Sequence, residues 1–222
     1  MAESVKILMT EQVTHNVKRF IVEKPGGFSF TPGQGTLVAI NTPELKTEAH
    51  PFTPTSLNDD KVIEFIIKQY HDRRGLTEKL HRLQSGDELI IQDVFGDIKY
   101  KGAGTFIAGG TGITPFIAIL RQVRKENRLK GNTLFFSNKT WKDIILEREL
   151  EVYLGANCIF TLTEEKKTGY ENGSINESFL KKNVKDVSQY FYVCGPAKFI
   201  EDINVALVKL GVKKEKLIFD QP

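Results

Sequence analysis

The sequence predicts a two-domain protein: an antiparallel β-barrel domain followed by an α/β domain with a parallel sheet. Residues 5–94 contain short strand-like runs separated by turn signals, whereas the chain after Gly104 alternates apolar strands with amphipathic helices. The first rhythm is typical of a small barrel or sandwich, and the second of a parallel sheet covered by helices. The segment KYKGAG at 99–104 separates the two sequence patterns, so we predict domains at 1–102 and 103–222.

The first half has runs rich in β-branched and aromatic residues, and turn signals such as PGG, PGQG and SGD lie between them. One helix is predicted here, because GLTEKLHRL at 75–83 places Leu76, Leu80 and Leu83 on one helical face. The predicted strands are VKILM (5–9), VKRFIVEK (17–24), TLVAI (36–40), VIEFIIKQY (62–70) and ELIIQDV (88–94).

The second half alternates two kinds of segment, short apolar runs and longer segments with helical periodicity. Such alternation indicates βαβ units and therefore a parallel sheet. The predicted strands are TFIA (105–108), TLFFS (133–137), CIFTL (158–162), YFYVC (190–194) and KLIF (216–219), and the predicted helices are 115–126, 143–153, 176–182 and 197–210.

Composition excludes several classes of function. The 222 residues are 40% hydrophobic and 27% charged with a net charge of +3, which is too weakly basic to indicate nucleic-acid binding. No apolar run approaches the ~20 residues that span a bilayer. Cys158 and Cys194 form no CxxC pair, so no metal site is expected. The N-terminal residues lack a secretory pattern, and we expect a cytoplasmic protein with reduced thiols.

The most informative segment is FIAGGTGITPFIAIL at 106–120, which joins the first strand of the second half to its first helix. Three glycines within four positions let the backbone approach a ligand without a Cβ clash. Thr114 is predicted to cap the helix and Pro115 suits its first turn. Because helix N-termini at the carboxyl edge of an open sheet attract phosphate, the segment favours a nucleotide-like anion.

Two further segments have the same character. YVCGPAKFIEDI at 192–203 joins another strand to a helix, so Cys194 ends a strand at the sheet edge where the glycine loop lies. In the barrel half, HPFTPTS at 50–56 has two prolines that restrain Phe52 and Thr53. A restrained aromatic ring can stack on a flat ligand, and a neighbouring hydroxyl can hydrogen-bond to its edge.

With these motifs in order along nearly the whole chain, the sequence resembles the ferredoxin–NADP reductase superfamily, which includes flavodoxin reductases and NADH–cytochrome reductases. HPFTPTS is similar to that family's Arg-x-Tyr-Ser/Thr flavin motif, and IIKQY followed by GLT is similar to its strand and phosphate-binding helix start. AGGTGITP and CGP match the nicotinamide-nucleotide loop and the motif beside the nicotinamide ring. His50 stands where the family usually has Arg, and Phe199 where Met is common.

The resemblance implies an enzyme, an NAD(P)H-dependent flavoprotein reductase. NADH or NADPH would give hydride to bound FAD, and electrons would pass singly to a separate carrier, a small redox protein such as ferredoxin or flavodoxin. FMN is the alternative flavin, because His50 offers a phosphate fewer donors than Arg. Two rival functions are a reductase of free flavin and a non-autonomous flavin-binding subunit of a larger electron-transfer complex.

The resemblance also assigns the candidate site residues. Thr53, near flavin N5, and Cys194, beside the nicotinamide, are the candidate catalytic residues, and Cys194 is not expected to act as a covalent nucleophile. No metal ligands are expected. The flavin would be bound by His50, Pro51, Phe52, Thr53, Ile67, Lys68, Tyr70, Gly75, Leu76 and Thr77. The nicotinamide nucleotide would be bound by Gly110, Thr111, Gly112, Thr114, Asn138, Cys194, Gly195 and Pro196.

The segment NKTWKDIILERELE at 138–151 bears on the choice of nucleotide. The resemblance implies that the corresponding segment contacts the adenosine ribose. A 2′-phosphate calls for Arg or several basic groups. The segment has Lys139 and Lys142 but no Arg before Arg148. We therefore expect NADH in preference to NADPH.

Overall fold

The first half of the chain folds into an antiparallel six-stranded sheet. In the computed structural model, which describes residues 2–70 and 75–220, the strand order is β4-β3-β6-β1-β2-β5. This confirms the predicted antiparallel domain. The strands are β1 (Glu3–Thr14), β2 (Val17–Glu23), β3 (Gly35–Ile40), β4 (His50–Phe52), β5 (Val62–Lys68) and β6 (Glu88–Phe95).

The edges of this sheet, β4 and β5, meet just beyond the end of β4. Pro54 forms a bridge with Phe65 of β5. The next amide, that of Thr55, donates to the Glu64 carbonyl at 2.7 Å. These contacts turn the sheet into a barrel around a core that includes Phe20, Phe65 and Leu76. The short helix α1 (Leu76–His81) contributes Leu76 and Leu80 to that core, as its apolar spacing predicts.

The second half forms another six-stranded sheet, with strand order β10-β9-β8-β7-β11-β12 and parallel pairing throughout. The parallel α/β fold is therefore confirmed. Its strands are β7 (Gly104–Gly109), β8 (Thr133–Asn138), β9 (Cys158–Leu162), β10 (Glu171–Asn172), β11 (Tyr190–Cys194) and β12 (Leu217–Ile218). Its helices are α2 (Thr114–Lys125), α3 (Glu147–Leu154), α4 (Glu177–Asn183) and α5 (Ala197–Lys209).

Three details differ from the sequence prediction. The strands β4 and β10 were not predicted, since they have only three and two residues. The helix predicted over 143–153 begins at Glu147, because Asp143 closes a capping box on a preceding short turn and Leu146 has a positive φ of 52°.

No described helix is long and apolar enough to cross a membrane.

The two sheets pack against each other through a shared apolar cluster. Val17 and Ile66 of the barrel belong to the same cluster as Phe106 and Phe116 of the α/β half. The strands β6 and β7 are joined by residues 96–103, and the exact domain boundary at 102/103 stays a prediction. This packing places the barrel against the carboxyl edge of the parallel sheet, where a cleft forms.

Candidate functional site

A cleft of about 850 Å³ lies between the barrel and the carboxyl ends of the parallel strands. All of the predicted cofactor-binding residues line it, although their roles stay predictions. The lining residues are His50, Pro51, Phe52, Thr53, Ile66, Ile67, Lys68, Tyr70, Gly75, Leu76, Thr77, Gly109, Gly110, Thr111, Gly112, Thr114, Ser137, Asn138, Lys139, Asp143, Thr163, Cys194, Gly195, Pro196 and Phe199.

The barrel wall is built by β4 and the carboxyl end of β5. Pairing of β4 with β3 fixes the backbone of His50 and Phe52 opposite Val38 and Thr36. Phe52 is half-buried against the barrel core, so part of its ring remains available at the cleft. The imidazole Nε2 of His50 lies 3.9 Å from the Glu48 carboxylate.

The opposite wall begins with the glycine loop. Gly110 has a positive φ of 54°, which favours glycine, and a Cβ there would meet no protein atom within 4 Å. Residues Gly110–Ile113 form a short 3-10 turn that runs directly into α2. The prediction that Thr114 caps α2 was wrong: Thr114 is its first residue, and its hydroxyl donates to the Thr111 carbonyl at 3.1 Å.

The Cys-Gly-Pro motif lies beside the glycine loop because β11 pairs with β7, which places Cys194 opposite Ala108. A Cβ on Gly112 would lie 2.6 Å from the backbone nitrogen of Gly195, so only glycine fits there without a shift. Burial raises the pKa of the Cys194 thiol to about 12. The thiol is therefore neutral near pH 7, and the expectation that it is no nucleophile stays a prediction.

Asn138 ends β8 and is only 5% exposed. Both polar atoms of its side-chain amide are buried, and neither has a hydrogen-bond partner among the described residues. Buried amides are nearly always hydrogen-bonded. A donor and an acceptor left open at the edge of the cleft fit a polar ligand such as a nucleotide.

Several contacts cross the cleft from the barrel to the α/β half. The hydroxyl groups of Tyr70 and Thr111 lie 3.4 Å apart. Lys68 Nζ donates to Asp143 Oδ1 at 3.4 Å. Burial opposes ionisation of Asp143, but hydrogen bonds from Thr140 and the charge of Lys68 outweigh it and hold the pKa of that carboxyl below its ordinary value. Asp143 is thus an anion held in the cleft wall.

Sequence reasoning did not propose several lining residues as ligands. Asp143 was detectable, since Thr140-x-x-Asp143 has the spacing of a capping box, and both of its hydrogen bonds are present. Gly109, Lys139 and Phe199 belong to segments that the sequence singled out, but they were not assigned as ligands. Ile66, Ser137 and Thr163 carried no local signal, because strand pairing and domain packing bring them to the cleft.

The end of the cleft near Asn138 carries charges of both signs. Lys139 Nζ forms an ion pair with Glu164 at 2.8 Å. The Glu165 carboxylate accepts a hydrogen bond from the backbone of Trp141 at 3.2 Å. The positive charge of Lys139 is therefore matched by a neighbouring carboxylate. Among residues 2–70 and 75–220, no group of three or more His, Cys, Asp or Glu side chains is arranged to hold a metal ion.

The residues present fit a flavin and a nicotinamide nucleotide. The glycine loop offers backbone without side chains, and Asn138 offers unpaired hydrogen-bonding atoms. Comparison with known families agrees with this reading. Residues 2–108 match the family model of an FAD-binding domain, and residues 106–204 match that of an oxidoreductase NAD-binding domain.

Individual relatives and solved structures match nearly the whole length of this chain. The NADH-cytochrome b5 reductase 2 of Candida glabrata is 32% identical over 211 residues, covering 86% of this chain and 70% of that protein. The CS-b5R domains of human Ncb5or, solved in the NAD⁺ form, superpose with a TM-score of 0.86 at 25% identity, covering 100% of this chain and 70% of that one. The flavohaem-like FAD/NAD-binding domain of Vibrio cholerae nitric oxide dioxygenase has the same fold, with a TM-score of 0.88 at 18% identity, covering 99% and 98%.

Proposed function

The chain belongs to the ferredoxin–NADP reductase superfamily of two-domain flavoproteins, and from this premise we propose that it passes electrons from NADH through FAD to a small haem protein of the cytochrome b5 class. It is an NAD(P)H-dependent reductase that serves a separate electron carrier. Cytochrome b5 as that carrier is supported by relatives named NADH-cytochrome b5 reductase, from Candida glabrata and Yarrowia lipolytica among others. Those names support cytochrome b5 and do not bear on ferredoxin or flavodoxin.

One observation carries the proposal. The flavin-type motif of the barrel and the two nucleotide-type motifs of the parallel sheet line a single cleft, although they are far apart in sequence. The chemistry that FAD supplies when bound is to accept hydride from the nicotinamide and to release electrons to the carrier. The protein's part is to hold the two cofactors in register.

Each wall of the cleft has its own task. Phe52 presents a ring for stacking, and the neighbouring Thr53 a hydroxyl for a hydrogen bond at the flavin edge. Gly110 and Gly112 keep the opposite wall free of side chains, so a pyrophosphate can approach backbone N–H groups. The neutral thiol of Cys194 fills space without adding charge where hydride passes.

Charge at the far end of the cleft supports NADH as the donor. A 2′-phosphate needs cationic partners that are available to it. Lys139 is paired with Glu164 at 2.8 Å, and the Glu165 carboxylate lies beside the same segment. Carboxylates at this place suit a ribose hydroxyl, which donates hydrogen bonds, and repel a phosphate.

A second function, reduction of free flavin, is favoured by the surroundings of His50. Its imidazole lies 3.9 Å from Glu48, and that carboxylate also meets Lys79 at 3.4 Å. A phosphate at this place would therefore meet a weaker donor than Arg and a nearby carboxylate. Both features weaken retention of the flavin and suit a flavin that leaves as product.

The experiment separates these functions in two steps. The protein is loaded with FAD, passed through a desalting column and scanned from 300 to 550 nm; retained FAD supports the reductase, and its loss supports the free-flavin function. NADH oxidation is then coupled to purified cytochrome b5 and, separately, to a ferredoxin. We expect reduction of cytochrome b5 at low micromolar concentration. Preference for the ferredoxin would overturn the assignment of the acceptor.

A further inference from the structure

A partly buried ion network joins the barrel to the helix that starts at the glycine loop. Arg121 of α2 donates through Nη1 to Glu64 Oε1 of β5 at 2.6 Å. Its Nε and Nη2 donate to the two carboxylate oxygens of Glu149 in α3, at 2.6 and 2.9 Å. The side chains of Arg121, Glu64 and Glu149 are 18%, 13% and 23% exposed. Such pairing is geometrically specific, because the guanidinium fork is rigid.

The same guanidinium also donates a hydrogen bond to the backbone of the flavin-type motif at 50–56. Arg121 Nη1 donates to the carbonyl of Thr55 at 2.9 Å. Thr55 is in turn fixed to β5, because its hydroxyl donates to Glu64 Oε1 at 2.7 Å. Only Pro54 separates Thr55 from Thr53, the residue predicted at the flavin edge. The position of Thr53 is thus tied to Arg121 through a short, hydrogen-bonded stretch of backbone.

The other end of the connection is the glycine loop. Thr114, at the start of α2, lines the cleft, and Arg121 lies seven residues later on the same helical face. At 1.5 Å per residue, the two are separated by about 10 Å along a rigid helix. A shift of α2 relative to the barrel would therefore move the glycine loop, which we call the nucleotide wall of the cleft. It would move relative to β4 and the end of β5, which we call the flavin wall.

A second cross-domain ion pair on the same helix provides a contrast. Lys125, one turn beyond Arg121, pairs with Asp59 of the barrel half. Their side chains are 50% and 62% exposed, and exposed pairs of this kind contribute little to stability or geometry. Removal of Arg121, by contrast, would leave the partly buried Glu149 without the cation that its two carboxylate oxygens contact. Glu64 would keep only Arg19, whose Nε lies 3.2 Å from its carboxylate.

We propose that Arg121 is a positioning residue for hydride transfer, which sets the gap between the flavin wall and the nucleotide wall of the cleft. The proposal rests on the proposed function. Arg121 exchanges no proton and no electron; the hydride, a proton with two electrons, passes from dihydronicotinamide to oxidised flavin across the gap that Arg121 maintains. A misplacement of about 1 Å at such a gap costs on the order of 100-fold in rate.

Anaerobic stopped-flow reduction by NADH tests this in the FAD-loaded wild type, Arg121→Met, Glu64→Gln and the matched control Lys125→Met. We expect Arg121→Met to lower the limiting rate of flavin reduction about 10- to 100-fold, with FAD content and the apparent Kd for NADH within twofold of wild type. Glu64→Gln should slow the same step, and the double variant should be no slower than Arg121→Met. Lys125→Met should match wild type.

Two readouts separate positioning from general damage. The primary isotope effect with 4-deuterated NADH should rise in Arg121→Met, because hydride transfer becomes fully rate-limiting. The long-wavelength charge-transfer absorbance formed by NAD⁺ on the reduced protein should weaken, because the two rings no longer stack at the same distance.

The outcomes are distinguishable. Wild-type limiting rates in Arg121→Met and Glu64→Gln would overturn the role of Arg121 while leaving the proposed function intact. Slowing accompanied by loss of FAD, with normal charge-transfer absorbance, would overturn it too. If Arg121→Met does not fold, Glu64→Gln and Arg121→Lys decide, since both keep the side-chain volume nearly constant. Failure of the wild type to reduce FAD would instead overturn the proposed function.

Discussion

Gly112 and Gly195, which are far apart in sequence, lie so close together that a Cβ on Gly112 would stand 2.6 Å from the Gly195 backbone nitrogen. Real Cβ atoms essentially never approach a backbone atom so closely, so either the glycine loop or the Cys-Gly-Pro motif would have to move. Gly110, two residues earlier, has open space at its own Cβ position. The pair offers a matched test of the nucleotide wall.

Gly112→Ala should lower the rate of flavin reduction by NADH and destabilise the protein by about 1–3 kcal/mol, as overpacking of a rigid site does. Gly110→Ala should cost about 1–2 kcal/mol from its left-handed backbone alone, without displacing Cys194. Urea unfolding and stopped-flow flavin reduction over a range of NADH concentrations measure this in both variants. A wild-type limiting rate and NADH affinity in Gly112→Ala would show that the contact does not shape the nucleotide site.

Phe52→Ala should weaken FAD binding by about 1–3 kcal/mol, the value of a buried aromatic contact. This corresponds to about a 5- to 150-fold increase in Kd, which flavin fluorescence titration can measure. Phe95→Ala is the control, since Phe95 is an exposed aromatic of the same barrel outside the cleft. Unchanged FAD affinity in Phe52→Ala would remove Phe52 from the flavin site.

Glu164→Ala should improve NADPH use relative to NADH, because it removes the carboxylate that pairs with Lys139 at 2.8 Å. We expect the ratio of kcat/KM values to shift at least fivefold towards NADPH, and Lys139→Ala in the same background to reverse the shift. Glu171→Ala breaks another exposed pair of the same length, with Lys182, and should change nothing. An unchanged ratio in Glu164→Ala would refute the charge argument.

Acid should destabilise the wild type more steeply than Glu149→Gln. Burial opposes ionisation of Glu149, yet its bonds to Arg121 outweigh this and lower its pKa below the ordinary value of 4.5. A lowered native pKa gives stability that is complete above pH 4.5 and is lost as pH falls through the native pKa. Urea unfolding between pH 3 and 7 measures both slopes, and parallel slopes would contradict the pairing.

The fold was predictable because its signals are local. The change from strand runs to strand–helix alternation at 99–104 gave both sheet types correctly. The strands β4 and β10 were not predicted, because three and two residues are too few to show the alternation of a strand. The cap predicted at Thr114 was wrong, since propensity alone does not reveal that a 3-10 turn at Gly110–Ile113 already precedes the helix.

The candidate site was predictable to the extent that it is made of motifs. The motif residues converge on one cleft, as the resemblance implied. Contacts across the two domains were not foreseen, because nothing local in the sequence links Lys68 to Asp143 or Glu64 to Arg121. The packing of the two domains determines which side chains form such pairs, so they become visible only in the three-dimensional structure.

The central claim is that one cleft holds FAD and the nicotinamide nucleotide in contact, and flavin reduction in the isolated protein tests it most directly. FAD-loaded protein is mixed anaerobically with NADH, and absorbance near 450 nm is followed in a stopped-flow instrument. The account predicts rapid and complete bleaching, saturable in NADH, with a weaker response to NADPH. A protein that binds both cofactors but leaves the flavin oxidised would contradict the account and favour a subunit that needs a partner to turn over.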